Sequence, residues 1–296
     1  MRSVPLHSLA GLRLEGKRVA FTSPSLYASR LQRLLLQEGA ITLSCPSIFV
    51  EATPQNREAL QNCLCRSSPL PFSGIAFTSR AGIKAVAEVL SRLFAEEDNG
   101  NPSASRVLED GFFVSALGRD AELLLELDMF GASRECVRVI VPSIATPQAM
   151  VEEIGDGYGR RILCPVPHVE GLEEPPVVPE FLEALAARGW QPYRLDAYST
   201  RWAGAECARP LLPLGKLDAL IFTSTAEVEG FLKSLRALGI TRIRTAGKPI
   251  LAAHGPVTAT GAARLGIEIN VVSKDFSSFD GIMDELELYW RSSSKH

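Results

Sequence analysis

The sequence contains no apolar run approaching the ~20 residues that a membrane-spanning helix requires. It also lacks a dominant charge. The net value is −3 at pH 7, so no global basic field points to nucleic acid or an anionic membrane. Cysteine is sparse, with six residues and no C-x-x-C pair, so neither a zinc site nor a disulfide framework is expected. Cys45, Cys63, Cys65, Cys136, Cys164 and Cys207 read instead as reduced, mostly buried thiols. Only four histidines occur (His7, His168, His254 and His296), none at metal-ligand spacing. There is no G-x-G-x-x-G after the first strand-like run, no G-x-x-x-x-G-K-[ST], and no G-x-S-x-G elbow. Nucleotide binding by those motifs and serine-hydrolase chemistry are unsupported. Met1 to Lys17 carries Arg2, Arg13 and Lys17 but no hydrophobic signal core. The expectation is a soluble chain of the cytoplasm, or of the chloroplast stroma if a transit peptide has been trimmed.

What is present is a pattern written twice. At 296 residues the chain suits two domains of ordinary size, and its 46% hydrophobic and 22% charged content is that of a globular protein. Arg18 to Thr22 reads as a buried strand, as does Arg160 to Cys164. Each precedes a turn and an amphipathic helix that ends near a glycine, Gly39 in one copy and Gly189 in the other. A strand then follows, Ile41 to Leu43 and Tyr193 to Leu195. Next, Gly74-Ile75-Ala76-Phe77-Thr78-Ser79 matches Ala219-Leu220-Ile221-Phe222-Thr223-Ser224. The helices after them, with apolar Ile83, Val86, Ala87 and Leu90 or Val228, Phe231, Leu232 and Leu235, keep the same offset as the strands. Phe113 to Gly118 and Ile250 to Gly255 form a third pair, and short Val-rich strands close each half, Val137 to Val141 and Ile269 to Val272. Alternating strands and helices imply an α/β fold of two similar lobes, each a parallel sheet flanked by helices in the flavodoxin-like manner. Loops are expected at Glu96 to Ser105 and at Gly171 to Pro179, where Pro175, Pro176 and Pro179 oppose a helix or a central strand.

Open parallel sheets bind ligands beyond the carboxyl ends of their strands. Those ends carry Thr22-Ser23, Thr78-Ser79, Gly118, Cys164-Pro165, Thr223-Ser224 and Gly255-Pro256. Hydroxyl residues there cap the following helix, and free amides with the helix dipole favour carboxylates or phosphates. A single cap is more often structural than ligand-binding, but here the same chemistry recurs at equivalent points of both repeats. Strand alternation places Asp196, Tyr198 and Thr200 on one face. By spacing alone Tyr198 reads as a half-buried strand aromatic.

Together Phe77-Thr78-Ser79, Phe222-Thr223-Ser224, Gly255-Pro256-Val257-Thr258-Ala259, Val141-Pro142-Ser143 and the strand around Ala197-Tyr198-Ser199-Thr200 resemble the uroporphyrinogen-III synthase family over nearly the whole chain. The resemblance implies a bilobal protein whose lobes exchange segments. Residues 1–47 with 203–296 would form one lobe and 48–202 the other, with linker crossings near 46–50 and 197–203. It implies a cofactor-free lyase of porphyrin, heme and chlorophyll biosynthesis that closes linear hydroxymethylbilane with inversion of ring D through a spiro intermediate. Tyr198 matches the family tyrosine proposed to assist loss of the substrate hydroxyl. Thr258 matches the threonine of the G-P-x-T-A turn, and Ser79 and Ser224 match cleft-facing serines. Thr22, Ser23, Thr78, Arg80, Gly118, Arg119, Thr223, Gly255 and Pro256 complete the expected substrate-binding set.

The sequence departs from the family pattern at four places. Ser23 stands where many members place arginine, Gly118-Arg119-Asp120-Ala121 lacks the threonine kept in the second half, and His254 replaces an aliphatic or small residue. The loop expected from Pro165 to Pro179 is longer and more proline-rich than usual in the family and lacks the usual basic residue. Arg80, Arg119, His168 and His254 are the candidates to compensate. Three readings stand: an active synthase, a non-catalytic relative that binds a tetrapyrrole or other polyanion between its lobes, and an unrelated two-lobed solute binder. No metal, nucleic acid or membrane partner is expected. A monomer is expected, with a transient handover of substrate from hydroxymethylbilane synthase.

Overall fold

The structure, a computed structural model, describes residues 12–65, 70–98, 108, 110–127, 129–211, 217–240 and 248–293. His7, His296, part of the opening Met1 to Lys17 and most of the Glu96 to Ser105 loop lie outside those residues. So does the side chain of Cys65. The chain divides into two compact units, Met1–Ser47 with Gly204–His296, and Ile48–Ala203.

The first unit is built on strands β1 (Arg18–Phe21), β2 (Ile41–Ser44), β9 (Ala219–Phe222), β10 (Ile250–Ala253) and β11 (Val271–Val272). They pair in the order β11-β10-β9-β1-β2, all parallel. This is the doubly wound order that reverses between the first strand and the third, so a crevice forms where β1 and β9 diverge into opposite crossovers. Alternation along each strand divides the core into two layers. Val19, Phe21, Ala219 and Ile221 face one cluster with Leu31 and Leu35 of α1 (Ser25–Gln37) and Ile282, Met283 and Leu286 of α9 (Asp280–Ser293). Ala20, Leu220 and Phe222 face the other with Val228, Phe231 and Leu235 of α7 (Thr225–Ala237) and Ala262 of α8 (Pro256–Arg264). The i, i+3, i+4, i+7 spacing of these apolar residues makes each helix bury one stripe.

The second unit holds β3 (Ile48–Glu51), β4 (Gly74–Phe77), β5 (Phe113–Ala116), β6 (Arg138–Ile140), β7 (Arg161–Glu170) and β8 (Gln191–Trp202) in the order β3-β8-β7-β4-β5-β6. Its five parallel strands repeat the topology of the first unit, but the chain enters that topology at its third strand. The edge strand β3 pairs antiparallel with the end of β8, Ile48 opposite Trp202 and Glu51 opposite Ser199. One face packs on α5 (Pro147–Ile154) and α6 (Val177–Ala187) through Met150, Ile154, Phe181, Leu185 and Trp190. Helices α2 (Pro54–Cys65) and α3 (Arg80–Asp98) pack against β7 and β8. A short α4 (Ala121–Glu126) follows β5.

Four expectations need revision. Helix α3 runs to Asp98 and absorbs the start of the expected loop at Glu96. Pro179 lies inside α6, at its third residue, where the first-turn amide has no intrahelical partner to lose. Pro165 and Pro167 lie within β7, past the point at Leu163 where its pairing with β4 stops. There the missing N–H costs no ladder bond on that side. The fourth concerns Asp196 and Tyr198. The register slips between Val166 and Pro167, so that Val166 pairs with Asp196 and Pro167 with Tyr198, leaving Ala197 over. That bulge breaks the alternation. Asp196 is half-exposed and pairs with Arg194 and with His168, whereas Ala197 through Thr200 are all buried.

Among the cysteines, Cys45 and Cys164 are buried, Cys63 and Cys207 half-buried and Cys136 exposed, all as free thiols. Burial pushes the Cys45 thiol up to about 12 and that of Cys63 to about 11. No described helix is long and apolar enough to cross a membrane.

Candidate functional site

In the second unit the chemistry gathers at the carboxyl ends of β4, β5 and β8. Ser79 follows β4 and caps α3, its Oγ accepting the Gly82 amide at 3.1 Å. The same oxygen lies 2.8 Å from the Tyr198 hydroxyl, and either atom can be the donor. The bulge at Ala197 turns Tyr198 onto this turn, and its ring is 6% exposed. Burial pushes the phenol up to about 12, the Ser79 bond opposes the rise, and the charge of Asp120 adds to it. Tyr198 is therefore a protonated phenol at neutral pH.

Arg80, the first residue of α3, reaches across to Asp120 at 3.2 Å. Asp120 closes the 3₁₀ turn that Gly118 opens after β5, with Gly118 at φ +51°, the left-handed region that glycine enters without strain. Arg119 beside it is exposed, and Thr78 is half-buried. The cation of Arg80 is thus shared with an internal carboxylate, whereas Arg119 faces solvent. His168 lies on the far part of β7, half-exposed and 3.4 Å from Asp196.

In the first unit the corresponding corner is organised by a residue that the sequence reading overlooked. Glu227, in the first turn of α7, is 1% exposed. Its carboxyl accepts Thr22 Oγ1 at 2.8 Å and the Thr223 amide at 2.9 Å. It also accepts the Thr223 hydroxyl and, at 3.4 Å, the Ser224 hydroxyl. In return Ser224 Oγ accepts the Glu227 amide at 3.3 Å, a variant of the capping box in which the carboxyl reaches back to the Thr223 amide, one residue before the cap. Its signal was legible as Ser224-x-x-Glu227. Burial raises the Glu227 carboxyl above its ordinary value, against the pull of the Thr223, Thr22 and Ser224 bonds. The Glu227 carbonyl in turn accepts Ser47 Oγ at 2.8 Å.

The remaining expected residues of this unit surround that carboxyl or stand at its rim. Thr22 and Ser23 are fully buried, and Ser23 lies 3.3 Å from Thr223 Oγ1. Thr258 donates to the Thr223 carbonyl at 3.2 Å, which ties α8 to the turn after β9. Gly255 is buried and Pro256 exposed at the start of α8. His254 packs against Phe279 with ring centroids 4.8 Å apart and the planes tilted by 55°, and its buried Nδ1 has no partner among the described residues. Burial pulls its imidazole down to about 4, with Arg30 adding to the effect and Asp275 opposing it.

Thr22, Ser23, Thr223, Ser224 and Thr258 are therefore brought together in one unit. Thr78, Ser79, Arg80, Gly118, Arg119 and Tyr198 cluster at the strand ends of the other. The described residues include no group of three or more His, Cys, Asp or Glu side chains placed to hold a metal ion. The chemistry on offer is hydrogen-bond donation by hydroxyls, one protonated phenol, and helix starts that favour acids.

The family model for uroporphyrinogen-III synthase HemD matches residues 29–282. Among solved structures, a mutant uroporphyrinogen III synthase from Thermus thermophilus aligns at 20% identity with a TM-score of 0.55, covering 95% of this chain and 100% of that one. Uroporphyrinogen-III synthetase from Helicobacter pylori 26695 aligns at 15% identity with a TM-score of 0.49, covering 93% and 100%. At 20% identity the likeness to the Thermus structure speaks to the fold. No curated protein matches the chain significantly.

Proposed function

Because the chain belongs to the uroporphyrinogen-III synthase family, a family of tetrapyrrole biosynthesis, we propose that it cyclises hydroxymethylbilane to uroporphyrinogen III, inverting ring D. The observation that carries this reading is the Ser79–Tyr198 pair: a phenol held protonated at a strand-end turn, 2.8 Å from a capping hydroxyl.

The reaction begins when the terminal C–O bond of the substrate breaks. Tyr198 donates a proton to the departing hydroxyl, which leaves as water, so that an electrophilic azafulvenium cation and the Tyr198 phenolate remain until the proton lost in the last step is returned. That carbon is attacked by the substituted α-carbon of the last pyrrole, which gives a spiro intermediate. Fragmentation and re-closure then exchange the positions of the ring's substituents, and loss of a proton restores aromaticity. Direct closure at the free α-carbon would give the uninverted isomer. The protein's contribution is to hold the chain of rings in the geometry that favours the spiro route, an orientation effect worth several orders of magnitude in rate. The substrate is a linear polyacid, and the residues proposed to engage it are Thr78, Ser79, Arg80, Gly118 and Arg119 at the strand ends of the second unit. No cofactor takes part, and the active species is a monomer that receives its substrate by handover from the synthase that makes it.

The test is to supply hydroxymethylbilane from a coupled synthase, oxidise the products and separate the isomers. Predominantly type III product supports the reading. Type I product alone, with measurable binding of the substrate, would instead identify a non-catalytic member that binds a tetrapyrrole or another polyanion.

A further inference from the structure

The two strand–cap–helix repeats, Gly74 to Leu90 and Ala219 to Leu235, superpose in sequence without a gap, so Ser224 corresponds to Ser79 and Glu227 to Gly82. Both serines accept the amide three residues on, Gly82 in one case and Glu227 in the other. The difference lies in what fills the corner. At Gly82 no side chain exists, and an added Cβ would lie 3.1 Å from the Pro165 carbonyl oxygen, so the backbone of β7 crowds the space that a side chain would need. At Glu227 a full carboxyl sits beneath the turn and takes up the Thr22, Thr223 and Ser224 hydroxyls with the Thr223 amide. These hydroxyls and this amide, just ahead of the helix start, are donors that an acid reaching the corner would need.

We propose that Glu227 is a built-in occupant of the first unit's strand-end corner, taking the place of a ligand carboxyl and closing that corner to the substrate's acid arms. Resting on the synthase reading, this makes Glu227 a specificity-determining residue. The hydroxyls of Thr22, Thr223 and Ser224 hold the turn together, and recognition of the substrate's acids falls to other groups. An uncharged isostere keeps the bonds from the Thr22 hydroxyl and the Thr223 amide and reverses the direction of those with the Thr223 and Ser224 hydroxyls. In the Glu227→Gln variant the new amide oxygen would accept the Thr223 amide and Thr22, and the new NH2 would donate to Thr223 Oγ1.

Thermal melts of the wild-type chain, Glu227→Gln and Glu227→Ala, each in formate and in chloride at matched ionic strength, test the occupancy without reference to activity. Glu227→Ala is expected to melt roughly 5–10 °C lower, because several buried donors lose their acceptor. Formate should recover part of that loss while leaving the wild type and Glu227→Gln unmoved. A formate shift of the same size in all three proteins, or an alanine variant that melts with the wild type, overturns the proposal. Should the alanine variant fail to fold, Glu227→Gln decides. It is expected to melt at or above the wild type and to keep KM for hydroxymethylbilane within about two-fold, a change of under about 0.5 kcal/mol. A normal melt with KM raised ten-fold or more would mean that the Glu227 charge meets the substrate. If no variant and no wild type turns over the bilane, the synthase reading fails, and the formate result still judges the occupancy.

Discussion

Burial shifts both His254 and Glu227 towards their neutral forms, and each makes stability depend on pH in its own direction. The His254 imidazole is lowered from 6.5 to about 4. Its neutral form is favoured by folding, so its contribution is complete above 6.5 and is lost as pH falls towards 4. A His254→Leu variant should show a flatter fall in melting temperature between those values than the wild type. An unchanged slope would place the acid sensitivity elsewhere. Glu227 works the other way. Its folded pKa lies above the ordinary 4.5, so its contribution is complete below that value and declines as pH rises and the buried acid must ionise. The margin by which Glu227→Gln outlasts the wild type in a melt should therefore widen from acid to neutral pH, and a margin that narrows would show that the folded state prefers the carboxylate.

At the scale of elements, the turn between β9 and α7 is fixed from both sides. Ser224 caps α7, and Ser224→Ala should cost about 1 kcal/mol in urea unfolding. On the α8 side, Gly261 leaves no room for a methyl group, since an added Cβ would lie 2.0 Å from Thr225 Oγ1 and 2.7 Å from its Cβ. The obstruction reaches the root of the Thr225 side chain, so α8 itself must move. Gly261→Ala is expected to destabilise by about 1–3 kcal/mol, against the small gain that the exchange gives in an open helix. A neutral or stabilising effect would mean that α7 and α8 part easily. The periodicity that built these helices was legible because burial on one face imposes it directly, as Val228, Phe231 and Leu235 illustrate. The bulge at Ala197 was not, because register is set by the partner strand and no residue type marks the slip. It is this slip that separates Tyr198 from Asp196. The prolines of β7 misled for a related reason: they look like loop residues until the pairing with β4 is known to stop at Leu163.

For the molecule as a whole, the doubled pattern in the sequence is matched by two sheets of like topology, one reading its strands in chain order and the other starting at the third. The repetition was visible because strand, cap and helix recur together at one offset. What the repetition concealed was divergence inside it. Ser79 and Ser224 cap in the same way, yet one meets a tyrosine and the other an internal acid. Residue types at the strand ends therefore indicated where chemistry sits, but not which hydroxyls are already committed. If geometry selects the product isomer while Tyr198 accelerates hydroxyl loss, the most direct test is the isomer ratio formed by Tyr198→Phe. With hydroxymethylbilane generated in situ, kcat should fall by up to roughly 100-fold, and the enzyme-formed product should remain type III. A variant that turns over at the wild-type rate, or one whose enzymatic product shifts to type I, would contradict it.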